Sequence, residues 1–406
     1  MGPGDLTKFR CVGCSAGFES DLMPDLSCKS CGDLLEWVAE KGVSVGSLLP
    51  PPQDFTMWRY AAMLPQIEEG GIVSLSEGGT PLHYSEGIAG AIGVDELFIK
   101  NEGKNPTGSF KDRGMSVALT AAKAYGTKVA VCASTGNTAS SMAAYCAKAK
   151  IPSVVLVPKG KVARVKLRQC AAYGATIAEV NGNFDRALEL VKQASVISGV
   201  AIMNSINPFR IEGQKTGAFE VCDQLSSAPD WLVIPVGNGG NISSYWRGFN
   251  EFRRMGVISS LPRMIGVQAS GASPIVHAFE KNSSTVEFVN TPETDATAIR
   301  IGKPANWKRA LAAIRESGGT AVSVTDGEIR SARKLLSETE GILIELASAS
   351  TVAAVRKVVA NGTIKKGETV VCVATGNGLK DIDSDTEFTT SPVTTIEELS
   401  ALIGTI

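Results

Sequence analysis

The stretch Trp231-Leu-Val-Ile-Pro-Val-Gly-Asn-Gly-Gly-Asn-Ile-Ser-Ser244 joins a short apolar run to a turn rich in glycine and asparagine. The apolar run predicts a buried strand, and the periodic apolar residues from Ile242 to Arg254 predict a helix. A buried strand that leads through a glycine turn into a helix is the repeating unit of a parallel sheet covered by helices. This stretch therefore sets the fold class that we expect.

The same alternation continues on both sides of that stretch, from about residue 72 onward. Further strands are predicted at 129–133, 153–157, 264–268 and 369–374, and further helices at 112–125, 137–148, 184–198, 326–340 and 347–360. We therefore predict an α/β protein in which open, mostly parallel sheets carry helices on both faces. A chain of 406 residues is long enough for two or three domains.

The charge and composition of the chain limit the classes of molecule that it is expected to bind. The chain has 40 Lys+Arg against 41 Asp+Glu, so its formal charge of -1 gives no broad attraction toward nucleic acid or an anionic membrane. The two histidines, His83 and His277, offer little material for a His-based metal site or hydrolytic triad. The sequence contains neither an apolar run of about 20 residues nor a signal-peptide pattern. We expect a cytoplasmic protein that acts on a small molecule.

Four of the nine cysteines form two Cys-x-x-Cys pairs near the start of the chain. Cys11 and Cys14 make one pair, and Cys28 and Cys31 the other. Two tight turns of this kind present four thiolates to one zinc ion in a closed structural site. We predict a zinc-ribbon-like knot over residues 1–45, called the N-terminal knot below, followed by a linker at 43–65. The alternatives are four reduced cysteines without metal, or a zinc-ribbon module that binds nucleic acid.

Three predicted strands end in turns of glycine, asparagine and hydroxyl residues, at 134–138, 237–241 and 375–378. Ligands of open parallel sheets bind beyond the carboxyl ends of the strands, so we expect the three turns to meet in one crevice. The turn at 237–241 has no acidic residue and leads into a helix, which suits a phosphate. Because neither a P-loop nor a dinucleotide fingerprint occurs, that phosphate belongs to something smaller than a nucleotide.

A lysine lies in a run of small residues, Asn105-Pro-Thr-Gly-Ser-Phe-Lys111-Asp-Arg-Gly114, at the start of a predicted helix. The helix N-terminus and Arg113 favour an uncharged Lys111 amine, the form that attacks a carbonyl. The alternative is an ordinary surface charge. Beside a phosphate site and without a usable histidine, a lysine of this kind indicates an aldehyde cofactor with a phosphate group, which is pyridoxal phosphate.

Together these motifs resemble the pyridoxal-phosphate enzymes of the tryptophan synthase β fold (fold type II), and within them the threonine synthase family. The similarity runs from about Ser76 to Asp381 and opens with Glu77-Gly-Gly-Thr80-Pro-Leu82. It implies that Lys111 holds the cofactor and transfers protons. The other cofactor contacts that the resemblance implies are Asn137 at the 3-oxygen, Gly237, Asn238, Gly239, Gly240 and Asn241 at the phosphate, and Thr375 at the pyridine nitrogen.

The resemblance also implies a substrate site and a reaction. Ser134, Thr135 and Thr138 bind the substrate carboxylate, and Asn204, Ser205 and Arg210 bind a substrate phosphate. The reaction is the conversion of O-phospho-L-homoserine and water to L-threonine and phosphate. A simple helix cap is the alternative for Asn137, and it explains one residue of that loop but not the whole run.

Two positions depart from the family pattern. Lys303 stands where the family commonly has asparagine, and Leu346 where proline is usual. A threonine or serine dehydratase, or a lyase like cysteate synthase, is the alternative activity. We expect a larger cofactor-binding lobe at 46–110 and 206–406, a smaller lobe at 111–205, and a homodimer.

Overall fold

The computed structural model describes residues 6–20, 27–39, 54–67, 71–159, 164–182, 184–382 and 403. Its strands are β1 (Lys8–Cys11), β2 (Gly17–Glu19), β3 (Leu35–Trp37), β4 (Leu82–Tyr84), β5 (Glu96–Asn101), β6 (Val129–Ala133), β7 (Ser153–Pro158), β8 (Thr176–Val180), β9 (Val200–Ile202), β10 (Trp231–Pro235), β11 (Arg263–Ala269), β12 (Thr320–Val324) and β13 (Thr369–Ala374).

Helices alternate with these strands through the body of the protein. They are α1 (Glu86–Ile92), α2 (Lys111–Ala124), α3 (Asn137–Ala149), α4 (Arg164–Ala172), α5 (Phe184–Gln193), α6 (Pro208–Leu225), α7 (Gly240–Arg254), α8 (Pro274–Glu280), α9 (Trp307–Glu316), α10 (Asp326–Glu340) and α11 (Leu346–Ala360). Among the helices described, none combines the length and apolar character needed to cross a lipid bilayer.

The larger sheet has the strand order β12-β11-β10-β13-β5-β4. All neighbouring pairs are parallel except β4, which runs antiparallel to β5 at one edge. Every residue of β10 is buried, as expected for a strand covered on both faces. Helices α1, α10 and α11 cover one face, and α6 to α9 cover the other. The predicted α/β class with mostly parallel sheets is confirmed.

The smaller sheet is fully parallel, in the order β8-β7-β6-β9. Helix α5 covers one face, and α2, α3 and α4 pack on the other. The predicted strands and helices of both sheets match the observed ones within two residues at each end, with one exception. The helix predicted at 184–198 ends at Gln193 and continues only as a 3₁₀ turn to Val196.

The N-terminal knot contains a small antiparallel sheet in the order β2-β1-β3. Its described apolar side chains share a core with the body of the protein. Phe9 and Trp37 belong to the same buried cluster as Met115 of α2 and Phe209 of α6. The ring of Phe9 meets that of Phe209 edge to face, with centroids 5.7 Å apart. The knot therefore completes its core by packing against the body.

The predicted linker is wrong for the part that the structure describes, residues 54–65. Thr56 caps a 3₁₀ helix, Met57–Met63, which is largely buried against the body. The Trp58 indole N–H lies within hydrogen-bond distance of Glu77 Oε1 (3.0 Å) and Ser116 Oγ (2.9 Å). The sequence prediction overlooked the aromatic residues that follow the prolines. The remaining predicted linker residues, 43–53, lie outside the described residues.

A fully buried charge network joins the two sheets. Arg113, on the first turn of α2, donates to both carboxylate oxygens of Glu102 at 2.6 and 2.7 Å, and to both oxygens of Glu220 on α6 at 2.6 Å. Lys100 at the end of β5 also contacts Glu220, at 2.8 Å. Burial opposes the charge on Arg113, but the two carboxylates outweigh it and raise the pKa of Arg113 well above its usual value.

We expect Arg113→Met to lower the free energy of unfolding by about 3–5 kcal/mol, because it leaves two buried carboxylates without their shared cation. Urea unfolding followed by fluorescence measures this change. The matched control is Arg330→Met, since Arg330 forms an exposed ion pair with Asp295. That variant should lose less than about 1 kcal/mol. Equal losses for both variants would contradict the role assigned to Arg113.

Candidate active site

Lys111 is the first residue of α2 and lies beside the carboxyl end of β13. The backbone N–H of Phe110 donates to the carbonyl of Thr375 at 3.0 Å, and Ser109 forms a β-bridge with Gly376. The turn before the lysine needs glycine at position 108, where φ is +84°. Backbone pairing thus places Lys111 next to Thr375, as expected if both contact one ligand.

The surroundings of Lys111 favour its uncharged form. Burial lowers the pKa of Lys111 well below its usual value, and the positive charge of Arg210 lowers it further, while Glu345 acts in the opposite direction. These causes differ from the sequence expectation, which assigned the effect to the helix N-terminus and Arg113. The charge of Arg113 is balanced by Glu102 and Glu220, so Arg210 is the nearby cation that acts on Lys111.

The turn after β10 leads into the N-terminus of α7. Gly239 precedes the helix with φ at +82°, and no side chain of the described residues caps this end. A Cβ at Gly239 would lie 3.0 Å from the carbonyl oxygen of Asn306 and 3.0 Å from Ala310, so glycine is required here. Gly237, Asn238, Gly240 and Asn241 complete the turn. Its free N–H groups and the helix dipole suit a phosphate.

The predicted asparagine loop lies between β6 and α3. Asn137 is the first residue of α3, and its Nδ2 donates to Glu345 Oε2 at 2.8 Å rather than capping the helix. The cap alternative for Asn137 is therefore wrong. Ser134 Oγ accepts from the Gly136 N–H at 3.1 Å and shapes the loop, and Thr135 and Thr138 are half-buried beside it.

Glu345, directly before Leu346, is a residue of this region that the sequence motifs did not single out. It is fully buried, and its carboxylate contacts Asn137 and, at 3.0 Å, Lys166 of α4. A Cβ at Gly376 would lie 2.2 Å from Glu345 Oε2, which explains the glycine after Thr375. Glu345 therefore links the smaller sheet to the end of β13.

Thr375 is 5% exposed and lies where β13 ends. Its Oγ1 is 3.0 Å from Ser348 Oγ on α11. The second departure from the family pattern, Leu346, is the first residue of α11, and its N–H donates to Asp381 Oδ2 at 3.2 Å. A proline has no N–H and could not make this bond. Lys303, the other departure, lies on the exposed loop before α9.

The second predicted phosphate segment lies at the start of α6. Arg210 is 1% exposed, donates from Nη1 to the Met203 carbonyl at 3.2 Å, and has a pKa lowered to about 10 by burial. Ser205 is half-buried just before the helix. The side-chain amide of Asn204 pairs with both backbone groups of Ala133, at 3.1 and 2.9 Å. Asn204 thus fixes the end of β6, a contact that the sequence did not indicate.

The residues present fit pyridoxal phosphate. Within the part of the chain that the structure describes, five buried polar atoms of the predicted site have no partner: Asn137 Oδ1, Arg210 Nε and Nη2, and both amide atoms of Asn241. Buried polar atoms usually carry hydrogen bonds, so unpaired ones in a cleft indicate ligand contacts. They lie on the asparagine loop, on α6 and at the N-terminus of α7, which are three of the places that the sequence assigned to ligands.

The four cysteines of the N-terminal knot form a second candidate site. Their sulfur atoms all lie within 4.8 Å of one another. The N–H groups of Gly13 and Ser30 point to the sulfurs of Cys11 and Cys28, both at 3.3 Å. The turn behind each pair uses a residue with positive φ, Ser15 at +60° and Gly32 at +77°. This geometry fits one tetrahedral ion bound by four thiolates.

We expect Gly376→Ala to weaken cofactor retention by about 10- to 100-fold, because the new methyl group displaces Glu345 from Asn137 and one charged hydrogen bond contributes about 1.5–3 kcal/mol. Absorbance of the bound cofactor after gel filtration measures the loss. Gly90→Ala is the matched control, since a Cβ there meets open space on α1. Full retention by Gly376→Ala would contradict the packing argument.

Comparison with known proteins agrees with this geometry. Residues 73–376 match the family model described as "Pyridoxal-phosphate dependent enzyme". The chain is 48% identical to the threonine synthase of Methanocaldococcus jannaschii, covering 95% of each chain, and 47% identical to that of Methanosarcina acetivorans, covering 92% of each. In fold it is similar to a threonine deaminase from Solanum lycopersicum, with a TM-score of 0.63, 21% identity, and 80% and 82% of the two chains covered. The resemblance found in the sequence is confirmed: the chain belongs to the pyridoxal-phosphate-dependent enzymes and, within them, to the threonine synthase family.

Proposed function

We propose that the protein converts O-phospho-L-homoserine and water to L-threonine and phosphate. The observation that carries this proposal is the presence of two separate anion sites near one lysine. One is the N-terminus of α7, and the other is the buried guanidinium of Arg210, whose Nε and Nη2 have no partner among the described residues. One anion site suits the phosphate of the cofactor, and the other suits a phosphate on the substrate.

The roles of the remaining residues follow from their positions. Bound pyridoxal phosphate supplies an electron sink for negative charge at the α carbon of an amino acid. Lys111, whose pKa is lowered by burial and by Arg210, accepts a proton from the α carbon and transfers protons to the neighbouring carbons of the substrate. Asn137 and Thr375 orient the cofactor ring. The N–H groups and hydroxyls of the 134–138 loop bind the substrate carboxylate at the start of α3.

Arg210 has two functions in this scheme. Its planar fork holds the substrate phosphate until the carbon–oxygen bond breaks. Burial lowers the pKa of the Lys111 amine, and the charge of Arg210 lowers it further. A bound phosphate offsets that charge, so we expect Lys111 to become more basic when the substrate is in place. Ser205 adds a hydroxyl on the same side of the cleft.

Two other activities remain as alternatives. A threonine or serine dehydratase has no need of a second phosphate site, and the similarity to threonine deaminase structures concerns the fold alone. A lyase that combines phosphoserine with sulfite, like cysteate synthase, would use the second phosphate site but a different nucleophile. The buried, unpaired guanidinium of Arg210 favours a phosphorylated substrate over a plain hydroxy amino acid.

The direct test is to supply the purified enzyme with O-phospho-L-homoserine and measure threonine and inorganic phosphate. We expect the two products in equal amounts. Phosphoserine with sulfite, and threonine or serine alone, are the comparison substrates. Release of ammonia from threonine at a higher kcat/KM than phosphohomoserine turnover would overturn the proposal in favour of a dehydratase.

We expect Arg210→Ala to lower kcat/KM for phosphohomoserine by about 10- to 100-fold, because a hydrogen bond to a charged group contributes about 1.5–3 kcal/mol. Any turnover of threonine or serine should change much less. The matched control is Arg356→Ala, on the exposed side of α11, which should leave both reactions unchanged. If Arg210→Ala left phosphohomoserine turnover intact, the second phosphate site would be wrong.

We also propose that Cys11, Cys14, Cys28 and Cys31 bind one structural zinc ion. A closed site of four thiolates adds folding energy and leaves no open position for a substrate. Metal analysis should find one zinc per chain, and Cys14→Ser, at an exposed ligand, should reduce this content and lower the thermal midpoint. Full stability of the metal-free protein would contradict a structural role.

We propose a cytoplasmic homodimer on the basis of the family resemblance. The near-neutral charge supports a protein that binds neither nucleic acid nor membrane.

A further inference from the structure

The start of α9 lies between the two phosphate sites. Asn306, immediately before this helix, is 2% exposed. Its backbone N–H donates to the carbonyl of Asn238 in the cofactor phosphate turn, at 2.9 Å. Its side-chain Nδ2 donates to the carbonyl of Ser205 in the substrate phosphate segment, at 3.3 Å. One buried residue therefore contacts the backbone of both sites.

The side chain of Asn306 has its orientation fixed by its partners. Arg309, one turn along α9, donates from Nη1 to Asn306 Oδ1 at 3.3 Å. A guanidinium can only donate, and the carbonyl of Ser205 can only accept. The amide oxygen must therefore face Arg309 and the amide nitrogen must face Ser205. A flipped amide would lose both hydrogen bonds.

Arg309 also reaches the N-terminal knot. Its Nη2 donates to the carbonyl of Leu35 on β3, at 3.2 Å. The neighbouring Lys308 pairs with Asp33 of the knot but makes no side-chain hydrogen bond to Asn306 among the described contacts. A continuous chain of hydrogen bonds thus runs from β3 through Arg309 and Asn306 to Ser205.

We propose that Asn306 is a positioning residue that holds the substrate phosphate segment in register with the cofactor phosphate turn, and that Arg309 anchors Asn306 to the N-terminal knot. The proposal deepens the proposed function and rests on it for the identity of the substrate phosphate. Its physical basis is that Ser205 lies five residues before Arg210, at the entry to α6. A shift of the Ser205 backbone would move the hydroxyl and the start of this helix relative to the α7 turn.

Asn306 and Arg309 would thus act on substrate binding without contacting the substrate. Among the described residues, Asn306 makes no hydrogen bond to Lys111 or to the predicted ring contacts, so it should affect phosphate binding more than the chemical step. The backbone N–H to Asn238 survives any substitution except proline, so the cofactor phosphate turn should stay in place. The N-terminal knot then acts as a support for the phosphate site of the substrate.

The test uses holoenzyme with the variants Asn306→Ala and Asn306→Asp. Inorganic phosphate is the probe, and its Kd is measured by calorimetry beside KM and kcat for phosphohomoserine. We expect the Kd and KM to rise about 2- to 10-fold, the range for loss of one hydrogen bond, with kcat changed less than twofold. Asn306→Asp keeps the partner of Arg309 but cannot donate to Ser205 and adds a negative charge beside it, so it should raise the Kd at least as much as Asn306→Ala.

Two further variants test the link to the knot. Arg309→Met should raise the same Kd and KM, whereas the adjacent Lys308→Met should leave both unchanged. The inference is overturned if both Asn306 variants keep the Kd for phosphate within the wild-type error, or if they lose cofactor and thermal stability with no selective change in phosphate binding. If wild-type enzyme binds phosphate but does not turn over phosphohomoserine, the proposed function fails while the Kd values still test the positioning role.

Discussion

The guanidinium of Arg113 is the contact on which the rest of the site depends. It lies two residues after Lys111 and is clamped between Glu102, after β5, and Glu220, on α6. Charges buried this deeply are stable only when they are paired and hydrogen-bonded in full. The network therefore fixes α2 against α6, the two helices that carry Lys111 and Arg210.

The two buried arginines of this region, Arg113 and Arg210, differ in their hydrogen-bond partners. Arg113 shares four short hydrogen bonds with carboxylates, while Arg210 contacts a carbonyl and keeps two nitrogens without a partner among the described residues. The difference separates a structural cation from one that is available to a ligand. Burial lowers the pKa of Lys111, and the nearby charge of Arg210 lowers it further.

Side-chain contacts between the two sheets hold the predicted site together. Glu345 joins Asn137 and Lys166 of the smaller lobe to the end of β13, and Asn306 joins the phosphate turn to the segment before α6. The N-terminal knot shares its apolar core with α2 and α6. Side chains from distant parts of the chain thus hold the short turns at the ends of these strands.

The sequence by itself determined the elements and the family. Alternating apolar runs and glycine turns are local patterns, and the run around Lys111 and the turn at 237–241 are specific enough to indicate their chemistry. Tertiary structure alone decided which side chains are paired. In the folded protein, Arg210 rather than Arg113 is the cation that lowers the pKa of Lys111. The amide of Asn204 is hydrogen-bonded to Ala133. Glu345 and Asn306 link segments that are far apart in the sequence. The physical reason is that burial and hydrogen bonding depend on residues far away in the chain, which local periodicity does not encode.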